Sequence, residues 1–490
     1  MAFLTNTERP RSRAVAACVV AYVLVGAFLV RDSIAIPATR WMNIFDPSDF
    51  TTPASLGSFL AELRVPIPPI IGAAEIMSFQ LTGTPDLVTV FGYRLAMILG
   101  FATALYLGAT SRLRLVGSFL ASLVFLWGTV RVHPFNPQVY DVVFPAFVLL
   151  WIACLGWAAT QKPGVPPFVF AFLSGFFLSM AELTRPFFVL ILPFALVGSG
   201  VYLALRRRGL ALALFLPVLV LSGGWHLHLL LSYGQVFWSN HGGFNLAHAW
   251  PQVGIRPEFL LPEPDSTPIL PGRWENLNTD AHTVNSARLT AEVIRYVERH
   301  PGRAFTHALT RISVYMVGPV PSTALPGSVI PVRVYQWAMA AALTFLVVEI
   351  SSGAVVLFWT GPGSLRLFAT PAGLLALTAF GCLVLQAIGS SVEEARLVLG
   401  LLPLAAALPS LGVVEFMTSR AGAARHVELS LIALGLLGLL AALAWDPLRG
   451  VPFEFSNRQV AGAMLAGGLL LKGLVLVSLG RRQDRRSVRA

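Results

Sequence analysis

Apolar positions along this chain come in long blocks rather than in alternation or one-sided helical stripes, and each block ends at arginine, proline or glycine. A helix that spans a bilayer needs about 20 predominantly apolar residues. Blocks of that length recur from Ala14 to Gly480. About twelve spans are predicted, near 14–31, 88–108, 114–131, 138–158, 166–184, 187–205, 209–231, 332–360, 367–389, 396–417, 427–444 and 459–479. The chain therefore reads as an all-α polytopic membrane protein, with residues 1–490 forming a single transmembrane domain.

The polar breaks orient these spans. With Arg9, Arg11 and Arg13 placing the N-terminus in the cytoplasm, the inner loops carry S-R-L-R, T-Q-K-P-G, R-R-R, G-S-L-R and S-R-A-G-A-A-R-H. The chain ends inward in R-R-Q-D-R-R-S-V-R-A, so every inner loop obeys the bias of lysine and arginine toward the cytoplasm. Residues 66–81, with Glu75 and three prolines, are too short and broken for a span, and are predicted to lie as an interfacial helix on the outer leaflet. Two outer loops are then long, 32–87 and 232–331. Long connections in compact proteins usually carry function. In the second, G-F-N-L-A-H-A-W-P-Q-V-G reads as irregular chain, followed by an amphipathic helix through Leu289, Val293, Ile294 and Val297 that stops at Pro301-Gly302.

Composition supports this class and excludes others. Of 490 residues 56% are hydrophobic and 12% charged, with a mean hydropathy of +0.71, which a soluble globular domain does not tolerate. The net charge of +11 resides in the orienting arginines, so no nucleic-acid partner is expected. Cys18, Cys154 and Cys382 fall in separate spans without zinc or disulfide spacing. The N-terminal apolar run lacks an A-x-A cleavage pattern and is read as an uncleaved first span.

Ionisable residues gather at the predicted outer ends of spans. Asp46 and Asp49, in F-D-P-S-D-F, flank a proline in the first outer loop. They suit either a base and its orienting partner or metal ligand, or an Asx turn and helix cap. Glu182 and Arg185 in A-E-L-T-R-P-F, and Glu393, Glu394 and Arg396 in E-E-A-R-L, border the apolar slab, where charge is costly unless paired or facing water. Outer arginines run against the orientation bias, which marks Arg185 and Arg396 for an anionic ligand, an ion pair with the nearby glutamates being the alternative. His226 and His228 lie two apart, on nearly opposite helix faces, so one is expected toward a cavity and the other toward a neighbouring helix. His133 and Asp141 read as plain loop-edge residues. Glu349 and Glu415 are placed near inner span ends, to pair with inner arginines.

The ordered set of F-D-P-S-D-F, R-V-P-I-P-P-I-I-G-A-A-E-I-M, F-G-Y-R-L-A-M, A-E-L-T-R-P-F, G-G-W-H-L-H-L-L-L-S-Y-G, S-N-H-G-G-F-N-L, R-Y-V-E-R-H-P-G-R-A-F and E-E-A-R-L-V-L-G-L-L-P covers nearly the whole chain. In this order it resembles the GT-C superfamily of polyprenyl-phosphate-sugar-dependent membrane glycosyltransferases, in the branch of protein O-mannosyltransferases and lipid A aminoarabinose transferases. The resemblance implies a GT-C-like bundle with outer juxtamembrane helices in a bacterial inner membrane, both termini cytoplasmic and the active site outward. It implies inverting transfer of a sugar from a polyprenyl-phosphate donor to a hydroxyl of a lipid, glycan or protein acceptor, with Asp49 or Asp46 as general base. It assigns Arg185, Arg396, Glu182, Glu394, His228, His241 and Asn245 to substrate binding. No cofactor is required by this reading, which leaves a divalent cation open. Departures from the family pattern are the proline between the two aspartates and His228 where an arginine is usual. A lipid-linked sugar flippase or transporter, and a surface-polysaccharide polymerase or ligase, are the rival expectations; the first usually carries inverted repeats and mid-span charges.

Overall fold

A computed structural model describes residues 139–160, 163–233, 242–253, 280–317, 329–361, 368, 370–389, 421–444 and 455–487, with scattered positions in 17–24 and at 119–120. Among the described residues all regular structure is helical: α1 (Val139–Thr160), α2 (Val165–Thr184), a 3₁₀ segment Pro186–Leu190, α3 (Leu192–Ala204), α4 (Arg208–Val218), a π-helical turn Leu219–Gly223 and α5 (Gly224–Tyr233). There follow α6 (Gly242–Ala249), a short 3₁₀ turn Pro251–Val253, α7 (Asp280–Arg299), α8 (Pro301–Val317), α9 (Val329–Thr360), α10 (Pro371–Gly389), α11 (Ala421–Ala444) and α12 (Phe455–Ser487). Among the described residues five stretches are long and apolar enough to cross a membrane: Val165–Thr184, Arg208–Leu231, Ala340–Thr360, Pro371–Gly389 and Val460–Ser478. This is the character of a helical membrane protein. Of the expected spans near 14–31 and 114–131 only those scattered positions are described, and the spans near 88–108 and 396–417 lie outside the described residues.

The bundle core forms where α1, α2, α3, α4 and α10 meet, around Trp151, Phe144, Phe188, Leu178 and Leu375. Its polar atoms are paired across helices, as burial requires. Trp151 Nε1 donates to Ser199 Oγ at 3.1 Å, and Ser174 Oγ donates to the Trp151 carbonyl at 3.0 Å. Phe144 meets Phe187 and Phe188 edge to face, with ring centroids 5.7 and 5.4 Å away. The outward surface is apolar: Phe194, Leu212, Leu219, Leu231 and Phe358 are each more than two-thirds exposed. Such a surface is stable against lipid tails and not against water.

Close backbone contacts fix which helix ends share a side. A Cβ on Gly175 of α2 would sit 2.0 Å from the Leu214 carbonyl oxygen of α4, so only glycine permits this approach. Gly209 faces Phe168 near the starts of the same two helices, which therefore run parallel. Gly198 and Ile191 of the next strand of chain face Leu374 and Gly381, so α3 runs antiparallel to α10. The C-terminal ends of α2, α5 and α10 are thus on one side. The opposite side carries the exposed Arg206, Arg207 and Arg208, and at the start of α11 the exposed Arg425.

Two local departures from the expected spans have plain causes. The chain breaks after α2 because Arg185 precedes a proline and is pushed into extended backbone (φ −134°, ψ 108°), and the span expected over 187–205 begins as a 3₁₀ segment opened by Pro186 before α3 starts at Leu192 with a proline in its first turn. The segment expected to be irregular after residue 241 forms α6 and packs on α7, where Gly243 N–H donates to Ser286 Oγ at 2.9 Å. Pro301-Gly302 does end α7, and Pro301 also opens α8, a position proline favours because its missing N–H is not needed there.

Helices α6, α7 and α8 form a layer over the C-terminal end of α10. Trp250 Nε1 donates to the Ile388 carbonyl at 2.8 Å, and Arg311 Nε donates to the Ala387 carbonyl. The carbonyls at a helix C-terminus have no partner within the helix, so this layer satisfies them from outside. His307 Nε2 lies 2.8 Å from the Ala249 carbonyl, and its ring lies 4.7 Å from that of Trp250.

Candidate functional site

Glu182 lies in the last turn of α2, 3% exposed, with Oε1 3.0 Å from Nε2 of His226 at the start of α5. A buried carboxylate is costly unless a donor meets it. With the carboxylate ionised, His226 Nε2–H is that donor, which leaves Nδ1 on the far side of the ring. Glu182 Oε2, His226 Nδ1 and the nearby Ser222 Oγ are buried without hydrogen-bond partners among the described residues. Three buried polar atoms left open at one helix end are rare in a purely structural site.

The π-helical turn is what brings His226 onto Glu182. Leu210, Leu214, Val218 and Ser222 are buried on the α2 side of α4 and its continuation, and His226 extends the same spacing of four. In an unbroken α-helix that spacing drifts by about 40° per step, so after four steps His226 would be turned about 160° from Leu210. One extra residue in the π turn takes back roughly 100° of this. His228 is consequently off the seam, half-buried, its ring 5.5 Å from that of Trp225.

Arg185 follows Glu182 by three residues at the C-cap of α2. Its N–H donates to the carbonyls of Ala181 at 3.2 Å and Glu182 at 3.1 Å, which closes the helix and fixes the point where the half-buried side chain leaves it. Asn245 is half-buried in α6, in the layer on the same side of the bundle. Asp46, Asp49, His241, Glu394 and Arg396 lie outside the described residues. Of the two histidines it is His226 that meets the neighbouring helix, through Glu182, and Arg185 stands at the same helix end. Among the described residues no three His, Cys, Asp or Glu side chains gather as a metal-binding group.

A second buried ion pair joins α9 to α12, Lys472 Nζ donating to Glu349 Oε1. Glu349 Oε2 and the Thr344 hydroxyl have no hydrogen-bond partner among the described residues. Glu349 was expected to meet an inner arginine; its partner is a lysine inside the candidate span Val460–Ser478, and Glu415 lies outside the described residues. Lysine can reach along the slab by its long stem, and the absence of a side chain on Gly468 lets α12 press against Val348 one turn away.

No family model matches the chain. No curated protein matches it. No solved structure matches it.

Proposed function

We propose that the chain is a membrane glycosyltransferase that moves a sugar from a polyprenyl-phosphate donor to an acceptor hydroxyl on the extracytoplasmic side, with inversion. The observation that carries this reading is the Glu182–His226 pair, with Arg185 three residues on at the same helix end, at the side of the bundle opposite the Arg206–Arg208 turn. Arginine-rich turns mark the cytoplasmic side. That end then faces outward, on the same side as the layer α6–α8, within a GT-C-like bundle of about twelve helices.

In this reading the lipid phosphate is the leaving group, and Arg185, with Arg396, stabilises the negative charge that grows on it. Asp49 or Asp46 removes the proton from the acceptor hydroxyl as it attacks the anomeric carbon. Glu182, Glu394, His228, His241 and Asn245 contribute to substrate binding, and His226 joins them through Glu182. The layer of α6, α7 and α8 offers the acceptor-facing surface.

The test is sugar transfer from a radiolabelled polyprenyl-phosphate sugar in membranes carrying the full chain. Asp46→Asn and Asp49→Asn are compared with the unaltered chain at equal folded protein. Loss of transfer in one of them, with expression intact, supports the reading and names the base. Unchanged transfer in both removes the aspartate base.

A further inference from the structure

We propose that the outward stripe of α8, Phe305 and Leu309, together with Arg299 and Arg303 at the α7–α8 corner, is a docking surface for an anionic phospholipid bilayer. This inference is independent of the proposed reaction. Phe305 is 66% exposed and Leu309 47%, and one helical turn separates them, so they form one stripe. The opposite side of α8 is the packed one: Ala304 is buried with Trp250 and Val293, and Arg311 reaches the Ala387 carbonyl. The two threonines beside the stripe satisfy their hydroxyls within the helix, Thr306 Oγ1 donating to the Gly302 carbonyl at 2.9 Å and Thr310 Oγ1 to the Thr306 carbonyl at 2.7 Å. Neither hydroxyl is thus left open beside the stripe, which is compatible with contact with acyl chains.

Continuity and charge choose the occupant. Helix α8 packs against α9, α10 and α12, the three candidate spans of that side, whose own outward residues Phe345, Leu377, Leu471 and Leu474 are exposed and apolar. The stripe thus extends a lipid-facing belt. At its N-terminal edge the corner exposes Arg299 and Arg303, with Arg295, Glu292 and Glu298 next to them on α7. Arg295 is held by Glu292 at 2.6 Å, while Arg299 and Arg303 make no ion pair among the described residues. Apolar side chains on one face with arginines at the rim match the boundary between acyl chains and anionic headgroups.

The experiment uses the full chain with Cys18→Ser, since Cys154 and Cys382 are buried. A fluorophore is attached at Phe305→Cys, at Leu309→Cys and, as the water-side reference, at Arg288→Cys. The protein is reconstituted in phosphatidylcholine vesicles with and without phosphatidylglycerol. Labels at 305 and 309 are expected to be quenched by lipid carrying a nitroxide high on its acyl chain and shielded from aqueous acrylamide, and the label at 288 to show the reverse. Spin-labelled phosphatidylglycerol is expected to be immobilised by the protein in preference to phosphatidylcholine, and Arg299→Gln/Arg303→Gln to lower that preference several-fold. Acrylamide access at 305 and 309 would overturn the proposal. So would shielding from both quenchers, which would mean that protein covers the stripe, or a lipid preference unchanged in the double variant.

Discussion

Glu182 Oε1 and His226 Nε2 meet at 3.0 Å across the seam between α2 and the continuous helix that carries the π turn. The contact joins residues 44 apart in sequence at the end of two parallel helices whose backbones already touch at Gly175. A charge-bearing hydrogen bond of this kind contributes about 1.5–3 kcal/mol, because removing one partner strands the other in a buried place. His226→Leu is accordingly expected to lower stability by about 1.5–3 kcal/mol, and His226→Gln, which keeps an N–H near the Nε2 position, by about 1 kcal/mol or less. Thermal unfolding of the detergent-solubilised chain checks this. Equal losses in both variants would show that ring packing, not the bond to Glu182, sets the cost.

Gly175 provides a second test of the same seam. Gly175→Ala places a methyl group against the Leu214 carbonyl and the Pro217 ring, and is expected to cost about 1–3 kcal/mol as α2 and α4 separate. Gly224→Ala, whose added Cβ meets nothing within 4 Å, is expected to be neutral or to stabilise by up to about 1 kcal/mol through helix propensity. Paired unfolding curves decide between close packing and a general intolerance of change.

The Glu349–Lys472 pair predicts a non-additive pattern. Either Glu349→Leu or Lys472→Leu alone leaves a buried charge and is expected to destabilise by about 3–5 kcal/mol. The double variant removes both charges from an apolar slab and is expected to recover most of that loss. A double-mutant cycle by thermal unfolding measures it; additive losses would mean that the two side chains do not interact.

Much of this arrangement is legible in the sequence, and the exceptions share a physical cause. The predicted spans near 166–184, 332–360 and 459–479 fall on α2, α9 and α12, which carry candidate membrane-crossing stretches, and the one near 138–158 falls on α1, whose apolar part is shorter, because apolar length and arginine-rich breaks are strong local signals. Glu182 and Arg185 are recognisable from their position at a span edge. His226 is not separable from His228 by a regular period, since the π turn that selects it inserts one residue into the count. The spacing of four through Leu210, Leu214, Val218, Ser222 and His226 was the available signal. Lys472 reads as an interruption of an apolar block until α9 supplies its carboxylate, a relationship between residues 123 apart. The break after α2 was legible from Arg185-Pro186, and the helix over 301–317 from Pro301 at its first position.

The central claim is that the helix end holding Glu182, His226 and Arg185 is the working face of a lipid-linked sugar transferase. It is tested most directly by single-turnover sugar transfer in the reconstituted full chain, comparing Arg185→Gln with Arg207→Gln, a matched change at the opposite end of the bundle. The account predicts a loss of about a hundredfold for Arg185→Gln, the magnitude of removing one preorganised donor from a developing negative charge, and an unchanged rate for Arg207→Gln. Equal rates in both variants, with the unaltered chain active, would contradict it.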